Sequence, residues 1–466
     1  MKQSQASHRG RKPCSKFPAI RVSNRRYVMP RQIIQCPIAP SRGRQRNDVV
    51  QEEYTIHLIT PLFGGGVEAG QNDPITPIRP SGIRGQLRFW WRATRGARLG
   101  SIAKLRQKEG EIWGTTEKPS QVSILMPLVR ASKPIPCAKR PSRSNRTDWQ
   151  PPFDINRPLR YVLFPFQGKP RQGQSAGVDP SDCIHEAELR ISLRYPAELK
   201  QDVHASLWAW VNFGGLGSRT RRGCGAVYCD ELSPANKTDV GQWYKQQLQS
   251  FDLTTVDQPG DWPTLPSRLL LSSREARALD AWSDSVMLLQ RFRQGPGIGR
   301  NPGSGNRPGR SYWPEPESIR EISDEQHGRT SRPLNRKDKQ HHMPTSYFPR
   351  AEFGMPIIFE IRREDLKPTL QPSADISRMA SPLILKPLAV SADRAVPMIM
   401  RLNTKPVDHA VLQGADLKEP YIVESTAIRN RKVASYSNSP LRRSPAASAI
   451  EGFMAFARQN GFREVG

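Results

Sequence analysis

Tyr54, Ile56 and Leu58 alternate with Thr55 and His57 in "YTIHLIT", the period-two pattern of a strand with one face buried. A glycine-rich turn, "PLFGGG", and a Pro-punctuated loop follow, and beyond Ser81, a candidate N-cap, the period changes. Ile83, Leu87, Trp90, Thr94 and Ala97 recur at helical spacing, which predicts a helix over 81–98. "QVSILMPLV" (121–129), "RYVLFPF" (160–166) and "AELRISLRYP" (187–196) read as further strands, with a Pro/Arg/Ser-rich loop at 131–159. Leu199, Val203, Leu207 and Trp210 mark a second helix, and a glycine-rich run leads from it into "AVYC". The order β-α-β-β-α-β is the ferredoxin-like pattern.

After a polar stretch at about 231–265 a second set begins. "SRLLLSS" reads as strand, "DAWSDSVMLLQRF" as helix, "GMPIIFEIRR", "SPLILKPLAV" and "VPMIMRLN" as strands, and "ASAIEGFMAFARQNGF" as a closing amphipathic helix. The expected fold class is α+β: two ferredoxin-like (RRM-like) modules with long Gly/Pro/Arg-rich loop insertions. The predicted division is a basic disordered arm (1–50), a module at 51–232, a linker at 233–265, and a module at 266–466 with a loop insertion at 294–346. No apolar run approaches the roughly 20 residues that cross a bilayer, so a soluble, cytoplasmic protein with no membrane partner is expected.

Charge changes the picture. Lys and Arg outnumber Asp and Glu by 71 to 43, a net charge of +28, and a polyanionic partner is the economical reading. Residues 1–47 hold twelve Lys/Arg and no acid, the composition of a disordered basic arm, and Met29 stands as an alternative start of translation. The six cysteines include no CxxC pair, and Cys183-Ile-His185 has no second half, so neither a metal nor a disulfide framework is expected.

Three clusters carry the candidate chemistry. Arg84, Arg88, Arg92, Arg95 and Arg98 share one side of the first predicted helix with no acid between them, and Trp91 sits at the edge of that side. Trp90 then belongs to the core, and Trp91 is the candidate for stacking on a base. The plain alternative is a solvated basic face over an ordinary core. The second cluster is "FGGLGSRTRRGCGAV", with Gly214, Gly215, Gly217, Arg219, Arg221, Arg222 and Gly223. It follows a helix and feeds a strand, the wrong context for a dinucleotide fingerprint. It reads instead as a loop whose bare backbone approaches a phosphate chain while the arginines pair with it, or as a flexible surface turn. The third, "FRQGPGIGRNPGSGNRPGRSYWPE" with Arg300 and Arg310, again mixes Gly, Pro and Arg. No nucleophile with a base, paired carboxylates or cofactor motif stands out. His57 could act as a general base in metal-independent RNA cleavage, though a lone strand histidine is more often structural, and His341-His342 falls in a polar loop.

"TPLFGGG", "RPSGIRGQLRFWWRA", "EIWGTTEKPSQVSI" and "FGGLGSRTRRGCGAV" together resemble the first-subunit family of the Cmr effector, the type III-B CRISPR RNA-guided complex of the RAMP superfamily. "FRQGPGIGRNPG", "GRSYWPE" and "RMASPLILKPL" extend the resemblance to roughly residues 54–400. The resemblance implies two RAMP modules and a non-catalytic, cofactor-free role in antiviral defence: holding the 3′ region of the guide RNA, engaging single-stranded target RNA, and assembling with other RAMP subunits. It carries RNA binding onto Arg84, Arg88, Trp91, Arg92 and the Gly214–Gly223 loop; the charge pattern adds Arg95, Arg300 and Arg310. Arg84 stands where a lysine is expected, which keeps the charge and alters the phosphate geometry. A guide-processing endoribonuclease of the same superfamily, or a general structural RNA-binding protein, is the alternative. If the helix arginines touch phosphates, removing Arg88 and Arg92 flattens the log–log salt dependence of RNA binding by roughly 1–1.5 units.

Overall fold

The computed structural model describes residues 48–466, apart from 67–70, 74, 140–146, 154–156, 170–176, 254–259, 305–308, 329–346, 362–365, 415–416, 425–427, 429–437 and 444–447. Residues 1–47 of the basic arm, His341 and His342 therefore lie outside the described residues, and Val49 and Val50, at the end of the predicted arm, belong to the first strand. Residues 48–466 make one compact unit. No described helix is long and apolar enough to cross a membrane.

Strand β1 (Val49–Leu58) pairs antiparallel with β3 (Ala187–Pro196), and β2 (Ser123–Ala131) and β4 (Val227–Tyr228) complete a sheet in the order β2-β3-β1-β4. Tyr54 faces Ile191 and Ile56 faces Leu189, so the apolar positions of both strands point to one side. Helix α1 (Pro80–Ala93) covers that side. Its proline at the first turn lacks only an N–H that would have had no partner, and Ile83, Leu87 and Trp90 bury into the core. Each buried aliphatic side chain there contributes about 1.5–3 kcal/mol. Thr94 ends the helix by donating its hydroxyl to the Trp90 carbonyl at 2.7 Å, and a 3-10 turn, Arg95–Arg98, follows.

Helix α2 (Ile102–Trp113), capped by Ser101, is an element the hydrophobic pattern does not announce. Its buried positions are few, and one of them is Glu109. The segment 160–166 corrects an expectation: it is not a strand but the end of helix α3 (Arg157–Leu163) and a 3-10 turn. Leu159, Val162, Leu163 and Phe166 are the buried residues, spaced i, i+3, i+4, i+7, and a short apolar run alone cannot separate that from a strand. Helix α4 (Lys200–Phe213) lies beside α1. The predicted linker at 233–265 carries helix α5 (Val240–Ser250), whose buried Val240, Tyr244 and Leu248 recur every four residues. Tyr244 stacks on Trp208 of α4 at 6.0 Å between ring centroids.

In the second half β5 (Leu269–Ser272) leads into α6 (Ala278–Gln294), and α7 (Glu315–Gln326) lies within the predicted loop insertion. Strands β6 (Leu383–Ala389) and β7 (Arg394–Arg401), helix α8 (Ala449–Gln459) and β8 (Phe462–Val465) follow. The sheet runs β6-β7-β5-β8, antiparallel throughout, with the short strand Ala276–Arg277 also pairing β7. "GMPIIFEIRR" does not join it. Ile357–Ile358 opens a separate antiparallel sheet with Thr369–Gln371, His409–Gln413 and Tyr421–Glu424, and Ile358 is 74% exposed. The fourth strand of the main sheet is instead β8, which only Phe462 buries and which the polar sequence FREV conceals.

Candidate nucleic-acid interface

The acid-free helix face is not acid-free in space. Arg88 Nε and Arg92 Nη1 each donate to Glu109 Oε1 at 2.6 Å, and that carboxylate, supplied by α2, is 7% exposed. Arg84 donates to Ser120 Oγ at 2.6 Å and to the Val122 carbonyl at 2.9 Å. Arg95 reaches the Phe251 carbonyl at 2.9 Å and lies 3.8 Å from Asp252, with which Arg98 also pairs. The row of guanidiniums thus clamps α2, the start of β2 and the chain end of α5 against α1. Trp91 corrects a further expectation: it is 1% exposed and donates its indole N–H to Asp202 at 2.6 Å. Its ring faces lie in the core beside Trp90, out of reach of a base.

The glycine loop after α4 is likewise an internal joint over most of its length. Gly214, Gly215 and Gly223 are buried. Gly223 has φ +85°, and a Cβ there would overlap the Trp282 ring of α6 and sit 2.9 Å from the Leu385 carbonyl of β6. Gly217, with φ +74°, presses on the Phe63 carbonyl in the same way. The bare backbone therefore makes room for neighbouring protein at these positions. Trp282 Nε1 donates to the Arg222 carbonyl at 2.5 Å, and Arg222 Nη1 donates to Leu383 at 2.7 Å. Arg221 bonds the Ser381 carbonyl and stacks over Phe89 at 5.3 Å. These two arginines join the two sheets.

Lys386 on β6 completes the joint. Only 1% exposed, it donates to the carbonyls of Val211 (3.3 Å) and Gly214 (3.0 Å) at the end of α4. Cations are favoured at helix C-termini, yet burial pulls its pKa down to about 7, against about 10.4 in an unfolded chain. Above pH 7 the unfolded state holds a proton that the folded state sheds, so this group's contribution to stability grows as pH rises and is lost as pH falls through 7. Between pH 7 and 8, wild type should gain about 1 kcal/mol relative to Lys386→Met in urea unfolding. Parallel pH dependences in the two proteins would refute this.

Of the loop arginines, Arg219 is the outward one. It adopts φ 57°, is exposed, and has no hydrogen-bond or ion-pair partner among the described residues. Arg310 is exposed but pairs with Glu317 at 3.4 Å, and Arg300 lies in the turn after α6 with its Nε buried. His57 is half-exposed, 3.9 Å from Glu188. Cys183 is buried, His185 Nδ1 lies 3.0 Å from Ser132 Oγ, and no group of three potential metal ligands occurs among the described residues.

Two residues escaped the sequence reading. Arg190 and Arg194 are exposed on the open face of β3, flanked by Thr55 and Leu128 and by Gln51 and Ser123 respectively, with no partner among the described residues. At about 3.3 Å per residue their α-carbons stand some 13 Å apart. The signal was available: both occupy the outward phase of the alternation that identified the strand.

Residues 55–228, from β1 to the end of β4, match the model of the RAMP superfamily. The CRISPR system Cmr subunit Cmr1-1 of Pyrococcus furiosus is 29% identical over 167 residues, 35% of this chain and 44% of the relative. Its second form, Cmr1-2, is 27% identical over 182 residues, 37% of this chain and 92% of the relative. The chain thus aligns with less than half the length of the first relative. The crystal structure of Cmr1 from Pyrococcus furiosus superposes with a TM-score of 0.40 at 16% identity, covering 82% of this chain and 97% of that one. A chain in the type III-B Cmr-beta complex bound to cognate target RNA gives 0.40 at 11% identity, covering 78% and 96%.

Proposed function

We propose, from the match of residues 55–228 to the RAMP superfamily model and the similarity to Cmr1 subunits of CRISPR systems, that this protein is a non-catalytic RNA-binding subunit of a type III-B CRISPR effector. It would hold the 3′ region of the guide RNA, engage target RNA, assemble with other RAMP subunits in the cytoplasm, and leave sequence discrimination to guide–target pairing. The observation that carries this reading is the alignment of the β1–β4 segment with that superfamily and those two subunits; the net charge of +28 supports a polyanionic partner. We read both halves as ferredoxin-like modules, since each presents β-α-β-β-α-β in the sheet order second-third-first-fourth. The domain bounds 51–232 and 266–466 follow from that reading.

Exposed arginines without carboxylate partners, Arg190, Arg194 and Arg219, are the residues through which the chain would neutralise phosphates. The helix arginines would act by shaping the fold behind them. His57 beside Glu188 keeps an endoribonuclease reading in view, and cleavage of single-stranded RNA that His57→Ala abolishes would favour it.

The decisive experiment is purification of the tagged chain from its native host, with sequencing of co-purifying RNA and mass spectrometry of co-purifying proteins. Repeat-tagged short RNAs together with other RAMP subunits are expected. Mixed cellular RNA with no such partners would leave a general RNA-binding protein and remove the effector role.

A further inference from the structure

Three arginines from two parts of the chain, the turn after α4 and the end of α6, lie where the two sheets meet. Arg222 donates to the carbonyls of Leu383 (2.7 Å) and Phe353 (3.3 Å). Arg293, at the end of α6, lies over the Phe353 ring at 5.5 Å and donates through Nη1 to the Tyr161 hydroxyl at 2.9 Å. Its Nε is buried and has no hydrogen-bond partner. Arg219 precedes Arg222 on the same turn, exposed and without a hydrogen-bond or ion-pair partner among the described residues. Burial above all, then the charge of Arg219 and, against the opposing effect of Tyr161, those of Arg293 and Arg221, pull the Arg222 pKa down to about 9.

This group gathers its charges at the joint with no described carboxylate among them. Arg88, Arg92, Arg95, Arg98 and Arg350 each face an acid. No described carboxylate pairs with Arg219, Arg222 or Arg293. Like charges gathered at a buried junction raise its free energy unless an anion joins them. Guanidinium forks match the oxygens of a phosphate better than any other common biological anion except a carboxylate, and a net positive chain with an RNA-binding reading supplies phosphates.

We propose that this junction seats one phosphate of a single-stranded RNA, with Arg219 at its open side and Arg222, Arg293 and the Tyr161 hydroxyl behind. The assignment rests on the RNA-binding reading above and adds to it a fixed point. One phosphate bridges the loop of the first sheet to α6 of the second half, so binding RNA also tightens the joint between them.

The test uses the full chain and a labelled 12-nucleotide oligouridine carrying either a 3′-hydroxyl or a 3′-phosphate, titrated across salt concentrations. Arg219→Ala, at an exposed position, should weaken binding roughly ten- to a hundredfold and flatten the log–log salt slope by about 0.7. Inorganic phosphate, at matched ionic strength against chloride, should raise the melting temperature of wild type and leave Arg219→Ala unmoved. Tighter binding of the 3′-phosphate oligomer would place a strand terminus in the seat, and equal binding would place an internal phosphodiester there; both support the assignment. Wild-type affinity and slope in Arg219→Ala, with no phosphate-induced shift in wild type, would overturn the seat while leaving RNA binding elsewhere on the surface. Failure of wild type to bind either oligomer would overturn the RNA-binding reading, and the seat with it.

Discussion

Gly223→Ala should loosen the joint between the two halves, with a loss of about 2–4 kcal/mol. Two costs add. The backbone there sits at φ +85°, where an alanine is strained. The added methyl would also enter the Trp282 ring, and overpacking of this kind costs about 1–3 kcal/mol by itself. Neither neighbour yields easily: Trp282 is fully buried and its indole N–H is fixed on the Arg222 carbonyl at 2.5 Å. Urea unfolding with far-ultraviolet circular dichroism and tryptophan fluorescence reads the change. Coincident transitions at a lower midpoint fit one cooperative unit, whereas a split transition shows the halves unfolding separately. Stability within about 0.5 kcal/mol of wild type would mean that the loop is not seated against α6.

Glu109→Gln should destabilise the protein and strengthen its hold on RNA at the same time. Glu109 Oε1 accepts from both Arg88 and Arg92 at 2.6 Å, and the carboxylate is almost wholly buried. Removing its charge leaves two guanidiniums facing a neutral amide. Because the arginines themselves are about a third exposed (36% and 32%), water screens part of the loss, and about 1–2 kcal/mol is expected rather than the 3–5 of a fully buried pair. The freed guanidiniums become available to phosphates, so single-stranded RNA should bind more tightly with a steeper salt slope. Arg88→Ala with Arg92→Ala in the wild-type background should instead leave the slope nearly unchanged. A flattening by roughly 1–1.5 units in that double variant would mean that the helix face touches RNA after all.

Glu109 explains why local sequence misled. The stretch 80–98 contains no acid, and a basic face with an aromatic edge is what a nucleic-acid surface looks like on a helical projection. Its counter-charges come from residues 109, 202 and 252, and no projection of one helix can show them. Trp91 failed for the same reason. Its angular position at the edge of the apolar stripe predicts exposure, but α4 brings Asp202 to its indole N–H and closes over the ring.

Where an element buries one clean face, the pattern alone located it. Strands β1 and β3, helices α1, α4, α6 and α8, and the pair β6–β7 follow from alternation or from helical spacing, because the periods of two and 3.6 are set by backbone geometry and survive any tertiary context. The strong positive charge was equally legible. Elements whose burial is partial or supplied by a neighbour were not: α2 hides a glutamate in its interior, β8 is polar except for Phe462, and α3 is too short for its period to decide. Only the tertiary structure assigned partners to the arginines. A guanidinium's role depends on which carboxylate or carbonyl lies within about 3 Å of it, and chain folding, not sequence neighbourhood, determines that distance. It turned the five helix arginines into a clamp, made Arg221 and Arg222 a joint, and left Arg219 facing outward.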